Sequence, residues 1–272
     1  MRNHPLNPLW LARLQAHVSQ PPVRDRVPLY VGSAMVGSVQ PDFLTRAVSR
    51  ATRSGPVELR QETHPEGVCW RLLGEPTAAM AMLANALRDA GLAGAWRDEQ
   101  LGVTDRHGQP VGSIERAAVR PLGITTHAVH LVGTSPDGRT WVQQRALSKA
   151  NDPGLWDTLV GGLVASGDTT ETALQRETWE EAGLHLGELN AVTHRGRITV
   201  SRPSPEGGGA GYIHEHVDWF TATVPSCLDP VNQDREVAQF ALLSDQELVA
   251  RLEQDLFTVE AALILVAALG WN

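Results

Sequence analysis

The stretch "GGLVASGDTTETALQRETWEEAGL" (161–184) constrains this chain more than any other. A glycine pair sits beside a short apolar run, and a polar turn leads into a segment that reads as a helix over 169–182. At about 100° per residue, Glu177, Glu180 and Glu181 fall within an arc of roughly 100° on that helix. Like charges at i, i+3 and i+4 cost an isolated helix roughly 0.2–0.5 kcal/mol per pair. A fully solvated face would tolerate that cost. Two neighbours argue for a role instead. Gly161-Gly162 let backbone carbonyls turn inward, and Arg176 stands four residues before Glu180, where it can orient that carboxylate. Hard divalent cations such as Mg²⁺ bind through oxygen, so carboxylates sharing a helix face suit a metal site.

Charge sets the next bound. The chain carries 23 Lys and Arg against 31 Asp and Glu over 272 residues, a net charge of −8. Nucleic acid and an acidic membrane surface are therefore poor partners. A small anionic substrate is compatible, provided a metal supplies positive charge. Only Cys69 and Cys227 are present. They allow neither a four-thiolate zinc site nor a dense disulfide framework, which fits a reducing cytoplasm. Residues 1–20 lack the apolar centre of a signal peptide. "VEAALILVAALGW" (259–271) is shorter than the roughly 20 residues that span a bilayer, and reads as a buried helix. The expectation is a soluble cytoplasmic protein.

Periodicity indicates mixed α/β (α+β) architecture. An amphipathic helix over 1–20 ends at Pro21-Pro22. A hairpin over 27–41, helices over 42–51 and 76–92, and strands at "VELR" and "VCWRLLG" follow. A second hairpin (102–116) turns at Arg106-His107-Gly108. Texture changes near 118–125, so the chain divides into an N-terminal α+β domain (1–118) and a second domain (119–272). In the latter, "THAVHLVGTSPDGRTWVQQRA" forms two strands around Pro136-Asp137-Gly138. "PSPEGGGAG" (203–211) reads as a mobile lid or a disordered connection.

The stretch 161–184 resembles the Nudix box, G-x5-E-x7-R-E-U-x-E-E-x-G-U, where U is aliphatic. Gly162, Arg176-Glu177, Glu180-Glu181, Gly183 and Leu184 take matching positions. Asp168 stands where the first glutamate belongs, and Thr178 replaces an aliphatic residue. The resemblance implies a Nudix α/β/α sandwich with a mixed sheet, and hydrolysis of a diphosphate linked to another moiety with Mg²⁺ or Mn²⁺. Carried over by position, Glu177, Glu180 and Glu181 would ligate metal with the carbonyl of Gly161, and Arg176 would brace the carboxylates. The general base varies within the family. Glu236 is the first candidate, ahead of Glu181 and Glu215.

The flanks "WRDEQLGV", "SIERAAVRPLGITTHAVHLVG", "PGLWDTLVGGLVASGD" and "DREVAQFALLS" are similar to a subgroup with a small N-terminal domain. It includes the Nudix half of fungal thiamine pyrophosphokinase fusions. That resemblance implies hydrolysis of thiamine diphosphate, or its damaged oxy- and oxo-forms, to the monophosphate. Arg145 and Lys149 are candidates to contact the distal phosphates, and Glu215 to contact substrate. His127 and His130 read as structural, and His214 or His216 as candidates to reach substrate from a loop end. Trp96 and Trp219 could stack on an aromatic ring, though core packing suits each better. Rival readings are an ADP-ribose or NADH hydrolase and a non-catalytic Nudix regulator. An isopentenyl diphosphate isomerase fits poorly, since that group relies on a cysteine shortly before the box. Nudix proteins are often homodimers.

Overall fold

In the computed structural model, which describes residues 6–51, 58–64 and 67–271, the chain builds two main sheets. The first region runs α1 (Pro8–Val18), β1 (Val27–Val31), β2 (Ala34–Val39), α2 (Phe43–Ala51), β3 (Glu58–His64), β4 (Gly67–Leu73) and α3 (Pro76–Asp89). A hairpin of β5 (Gln100–Thr104) and β6 (Pro110–Glu115) leads into the single turn α4 (Arg116–Val119). Strands β1 to β4 form a four-stranded sheet in the order β2-β1-β4-β3, with β1 and β4 parallel. Its core gathers Leu29, Phe43, Leu72, Met80, Leu87, Ile114 and Leu122. The expected helix over 1–20 is shorter, and its first five residues lie outside the described ones, as does Val57 of "VELR".

The second region contains β7 (Thr126–Thr134), β8 (Thr140–Arg145), β9 (Trp156–Asp157), β10 (Val160–Leu163) and α5 (Thr170–Ala182). Then come β11 (Asn190–Ser204), the turn α6 (Glu206–Gly209), β12 (Gly211–Thr223), β13 (Val237–Leu243), α7 (Asp245–Glu253) and α8 (Val259–Leu269). The seven-stranded mixed sheet runs β11-β12-β7-β8-β13, with β10 on β7 and β9 on β8, and β12 parallel to β7. Alternation along β7 explains the layers. Val129 and Leu131 pack with Leu174 of α5 on one face, while Ala128 and Val132 pack with Leu265 of α8 on the other. This is an α/β/α sandwich. The fully buried Ile264 and Leu265 each contribute roughly 1.5–3 kcal/mol to anchoring α8. No helix among the described residues is long and apolar enough to cross a membrane.

Two features depart from expectation. Helix α1, assigned from sequence to the N-terminal domain, places Trp10 and Leu14 in the core beneath α8. The segment 203–211 is neither lid nor disordered link. Strands β11 and β12 pair as far as Ser204 and Gly211, and the turn between them is ordered. Gly207, Gly208 and Gly209 take φ of 66°, 67° and 81°, values that cost glycine little. Gly207 seats against Phe43 and Pro121, and Arg120 Nη1 donates to Glu206 Oε1 at 3.0 Å. Composition signals freedom, but tertiary partners remove it.

The β11–β12 ribbon also carries an acid-sensitive pair. Asp218 accepts hydrogen bonds from Arg197 Nη2 (2.7 Å) and His194 Nε2 (3.0 Å). Burial opposes its charge, but these bonds prevail and hold its pKa below the usual carboxylate range. The folded value thus lies below the unfolded value of about 3.9, so its stabilisation is present above that pH and is lost as pH falls through the folded value. Wild type should resist urea better than Asp218→Asn at neutral pH, with the gap closing on acidification. Coincident urea midpoints at neutral pH would refute the assignment.

Candidate metal and phosphate site

Helix α5 is positioned by both its ends. Thr169 Oγ1 accepts from the backbone N–H of Thr172 at 3.2 Å, and Gly183 terminates the helix at φ 63°. The face turned toward the sheet carries Ala173, Leu174, Glu177, Thr178, Glu181 and Ala182. Thr178 fits that interior because its hydroxyl donates to the carbonyl of Leu174 at 2.6 Å. A threonine at an aliphatic position is thereby accommodated without an orphaned polar group.

Arg176 ties the carboxylates together. Nη1 donates to Glu177 Oε1 (2.7 Å) and Glu180 Oε2 (3.0 Å), and Nη2 donates to the carbonyl of Leu163 (3.1 Å). Nε and Nη2 also donate to Asp168 Oδ2, each at 3.1 Å. Asp168 therefore anchors the arginine, a role its shorter side chain can perform. Burial disfavours the guanidinium's charge, but the surrounding acids outweigh this and raise its pKa.

Glu181 is enclosed. Its Oε2 accepts from the N–H of Gly161 (2.8 Å) and from Gln143 Nε2 (2.7 Å). Burial, then repulsion from Glu177, pushes its pKa up to about 8 against the pull of Gly161, Lys149 and Gln143. Burial likewise raises the Glu177 pKa, against the pull of Arg176. Two buried carboxylates that repel each other form a site where added positive charge is favourable. The donors are hard oxygens, of the kind Mg²⁺ or Mn²⁺ takes. Among the described residues no three His, Cys, Asp or Glu side chains already converge in metal-holding geometry, and Arg176 occupies oxygens of Glu177 and Glu180. The donor set fits the ion in its chemistry.

Close approach of β10 explains the glycine pair. A Cβ on Gly162 would lie 2.1 Å from Glu177 Cδ, and one on Gly161 would lie 2.7 Å from His130 Cε1. Gly162→Ala must displace a carboxylate held by Arg176. Such a misplacement should lower turnover about 100-fold. Steady-state kinetics beside a melting curve test this; unchanged kcat would remove Glu177 from the site.

Glu177 and Glu181 open onto a cavity of about 110 Å³ with Gly161, Arg145, Lys149, Glu215 and Glu236. Seven sequence-identified candidates thus meet in one place. Glu180 and Arg176 do not line it; Arg176 connects to it through Glu177, and Glu180 only through Arg176. Lys149 Nζ donates to Glu236 Oε2, while burial lowers the lysine's pKa. Arg145 donates to Asp157 Oδ2 (3.3 Å) and to the carbonyl of Asn151. Glu215 Oε2 accepts from Thr126 Oγ1 at 2.8 Å, a consequence of the parallel register that sets Glu215 beside Thr126.

Sequence reasoning missed Arg116, Arg120, Arg202 and Glu260, which also line this cavity. Arg202 Nη2 donates to Glu260 Oε1 (3.2 Å), yet its Nε is buried with no hydrogen-bond partner among the described residues. Arg116 and Arg120 stand at the two ends of α4, Arg202 lies on β11 and Glu260 on α8, so no single local spacing could have flagged them. His130 lines the cavity as well, held by Thr158 Oγ1 at 2.9 Å. His214 and His216 do not line it. His216 lies beside His127, with ring centroids 5.4 Å apart, and Trp219 packs in the core beneath α8. Trp96 lies under the Arg88 guanidinium, 4.4 Å from its ring centroid.

Comparison with known proteins places this geometry. An isopentenyl-diphosphate Delta-isomerase of Streptomyces coelicolor is 30% identical over 169 residues, 62% of this chain and 82% of that protein. Nudix hydrolase 20, chloroplastic, of Arabidopsis thaliana is 30% identical over 203 residues, 70% of this chain and 51% of its own length. An uncharacterized Nudix hydrolase of Pseudomonas aeruginosa is 39% identical over 122 residues, 45% of this chain and 66% of that protein. The chain thus spans only about half of the plant relative. Residues 125–263, which contain the glycine pair, α5 and the sheet beneath them, match the NUDIX domain, and the chain belongs to the Nudix family.

Proposed function

We propose that this protein hydrolyses thiamine diphosphate, or its oxy- and oxo-analogues, to the monophosphate. The observation that carries the hydrolytic reading is the shared cavity, where the Glu177 and Glu181 carboxylates face Arg116, Arg120, Arg145, Lys149 and Arg202. The similarity of the sequence flanks to the thiamine pyrophosphokinase subgroup supports the choice of substrate. Glu177, Glu180 and Glu181, with the Gly161 carbonyl, would hold Mg²⁺ or Mn²⁺. Such an ion, when bound, would neutralise phosphate oxygens and make an attacking water more acidic. Arg145 and Lys149 orient the distal phosphate. The water oxygen bonds to phosphorus as the bridging P–O bond breaks, giving the monophosphate and inorganic phosphate. Its proton passes to Glu236, whose carboxylate Lys149 holds at the cavity. Glu181, whose Oε2 is already taken by the Gly161 N–H and Gln143 Nε2, is the poorer base.

The isomerase relative gives a second reading some weight, but neither cysteine lines the cavity: Cys69 is buried in the first sheet and Cys227 is exposed. The test is product analysis with Mg²⁺ on thiamine diphosphate, its oxy- and oxo-analogues, ADP-ribose, NADH and isopentenyl diphosphate. Preferential release of thiamine monophosphates is the expected result. Preference for ADP-ribose or NADH would discard the thiamine assignment, and isomerised isopentenyl diphosphate would discard hydrolysis.

A further inference from the structure

A second chamber of about 260 Å³ adjoins the first and shares Arg116, Arg120, Asn151, Leu163 and Glu215 with it. Its outer wall is formed by Ala95, Arg97 and α4, all of which precede the family-matched segment 125–263. A cavity of about 150 Å³ accepts benzene, so this one has room for a two-ring group. The chamber opens from the side of the first cavity that carries Arg116, Arg120 and Glu215, so a ligand with its phosphates among the cations can extend into it.

The chemistry of the walls selects the occupant. Arg116 is held by Glu99 at 2.7 Å and Arg120 by Glu206 at 3.0 Å. Arg97 has no carboxylate partner among the described residues. Glu215 is 8% exposed; one oxygen accepts from Thr126, while the other receives no hydrogen bond from the described residues. Arg120 offsets the Glu215 charge, but a ligand that displaces water from the free oxygen must still supply a donor, because a buried acceptor left without a hydrogen bond is costly. An aliphatic chain has none. A site with such unpaired groups rejects the ligand that lacks the matching hydrogen bond.

We infer that this chamber is the subsite for the substrate's organic group, that it takes a polar nitrogen heterocycle donating to Glu215 in preference to an aliphatic or isoprenoid chain, and that residues 95–120 form its specificity wall. The inference rests on the diphosphate reading for the position of the phosphates, and it names what lies beyond them. Arg97 and Glu215 are specificity-determining residues here, acting on the ring and not on the reacting phosphorus.

Two kinds of measurement separate this inference from the reading it rests on. The first is calorimetric binding of thiamine monophosphate, adenosine monophosphate and isopentenyl monophosphate to the full chain. The ring compounds should bind at least tenfold tighter than the isoprenoid, and Ala95→Trp, which fills the chamber from its rim, should abolish that preference. Equal affinity for all three, no binding of the ring compounds, or an unchanged preference in Ala95→Trp would each overturn the subsite, whatever the hydrolytic activity proves to be. The second is kinetics on thiamine diphosphate against methyl diphosphate, which has no ring. Glu215→Leu should raise KM for the former about 10- to 100-fold, the effect of one hydrogen bond to a charged group. The loss on methyl diphosphate should be several-fold smaller. Equal losses on both substrates would assign Glu215 to the phosphate cavity and overturn its ring-binding role. Failure of the wild type to hydrolyse any diphosphate would sink the hydrolytic reading alone, and calorimetry would still decide the chamber.

Discussion

Glu180→Gln is expected to lower kcat by roughly 10²–10³, equivalent to about 3–4 kcal/mol of transition-state stabilisation, with little effect on the fold. The side chain is 42% exposed and, among the described residues, bonds only to Arg176 Nη1. A glutamine can still accept that bond through its amide oxygen, so stability should stay within about 0.5 kcal/mol of wild type. The amide loses the negative charge that a divalent cation needs. Mg²⁺ affinity, read by calorimetry, should therefore fall together with kcat. Full turnover with unchanged Mg²⁺ affinity would show that Glu180 is no ligand, and would leave the buried pair Glu177 and Glu181 to hold the ion.

Arg176→Ala is expected to cost both stability and activity. The guanidinium satisfies Asp168, Glu177, Glu180 and the Leu163 carbonyl. Removing it leaves the nearly buried Glu177 without a counter-charge and one carbonyl without its donor. Breaking such a pair costs about 3–5 kcal/mol when fully buried. Arg176 is 32% exposed, and water softens the loss to about 2–4 kcal/mol. For a chain of this size that is a fall in Tm of roughly 4–12 °C. Saturating Mg²⁺ should recover part of the deficit, because the cation replaces the lost charge and binds only the folded state. Arg176→Lys should fall between the two, since one ammonium cannot reproduce a fork that reaches four groups. A melting curve with and without Mg²⁺ decides this. An unchanged Tm would mean that the arginine only decorates the surface.

The pattern of the reacting helix was legible because its information is local. Helical geometry alone puts Glu177, Glu180 and Glu181 on one arc, and the spacing from Thr169 to Gly183 marks both ends. The Pro136-Asp137-Gly138 turn likewise identified β7 and β8 on either side of it. Asp168 was readable as a departure from the Nudix box, but its bond to Arg176 was not, because eight residues of turn and helix separate the two. The turn at 203–211 misled for a related reason. Three consecutive glycines imply freedom, and nothing nearby in sequence announces that Arg120 and Phe43 will pin them.

By itself, the sequence determined the family, the mixed α/β class, and the identity of the residues whose chemistry depends on close neighbours: the carboxylate arc, its bracing arginine and the glycine pair. Hydrogen-bond reach, helical periodicity and strand alternation act over a few residues, so spacing encodes them. Only the tertiary structure decided where α1 packs, how Lys149 meets Glu236, and that Arg116, Arg120 and Arg202 share a cavity with Glu181. Those contacts join segments up to about 240 residues apart through sheet register and core packing, which are properties of the whole chain and leave no local trace.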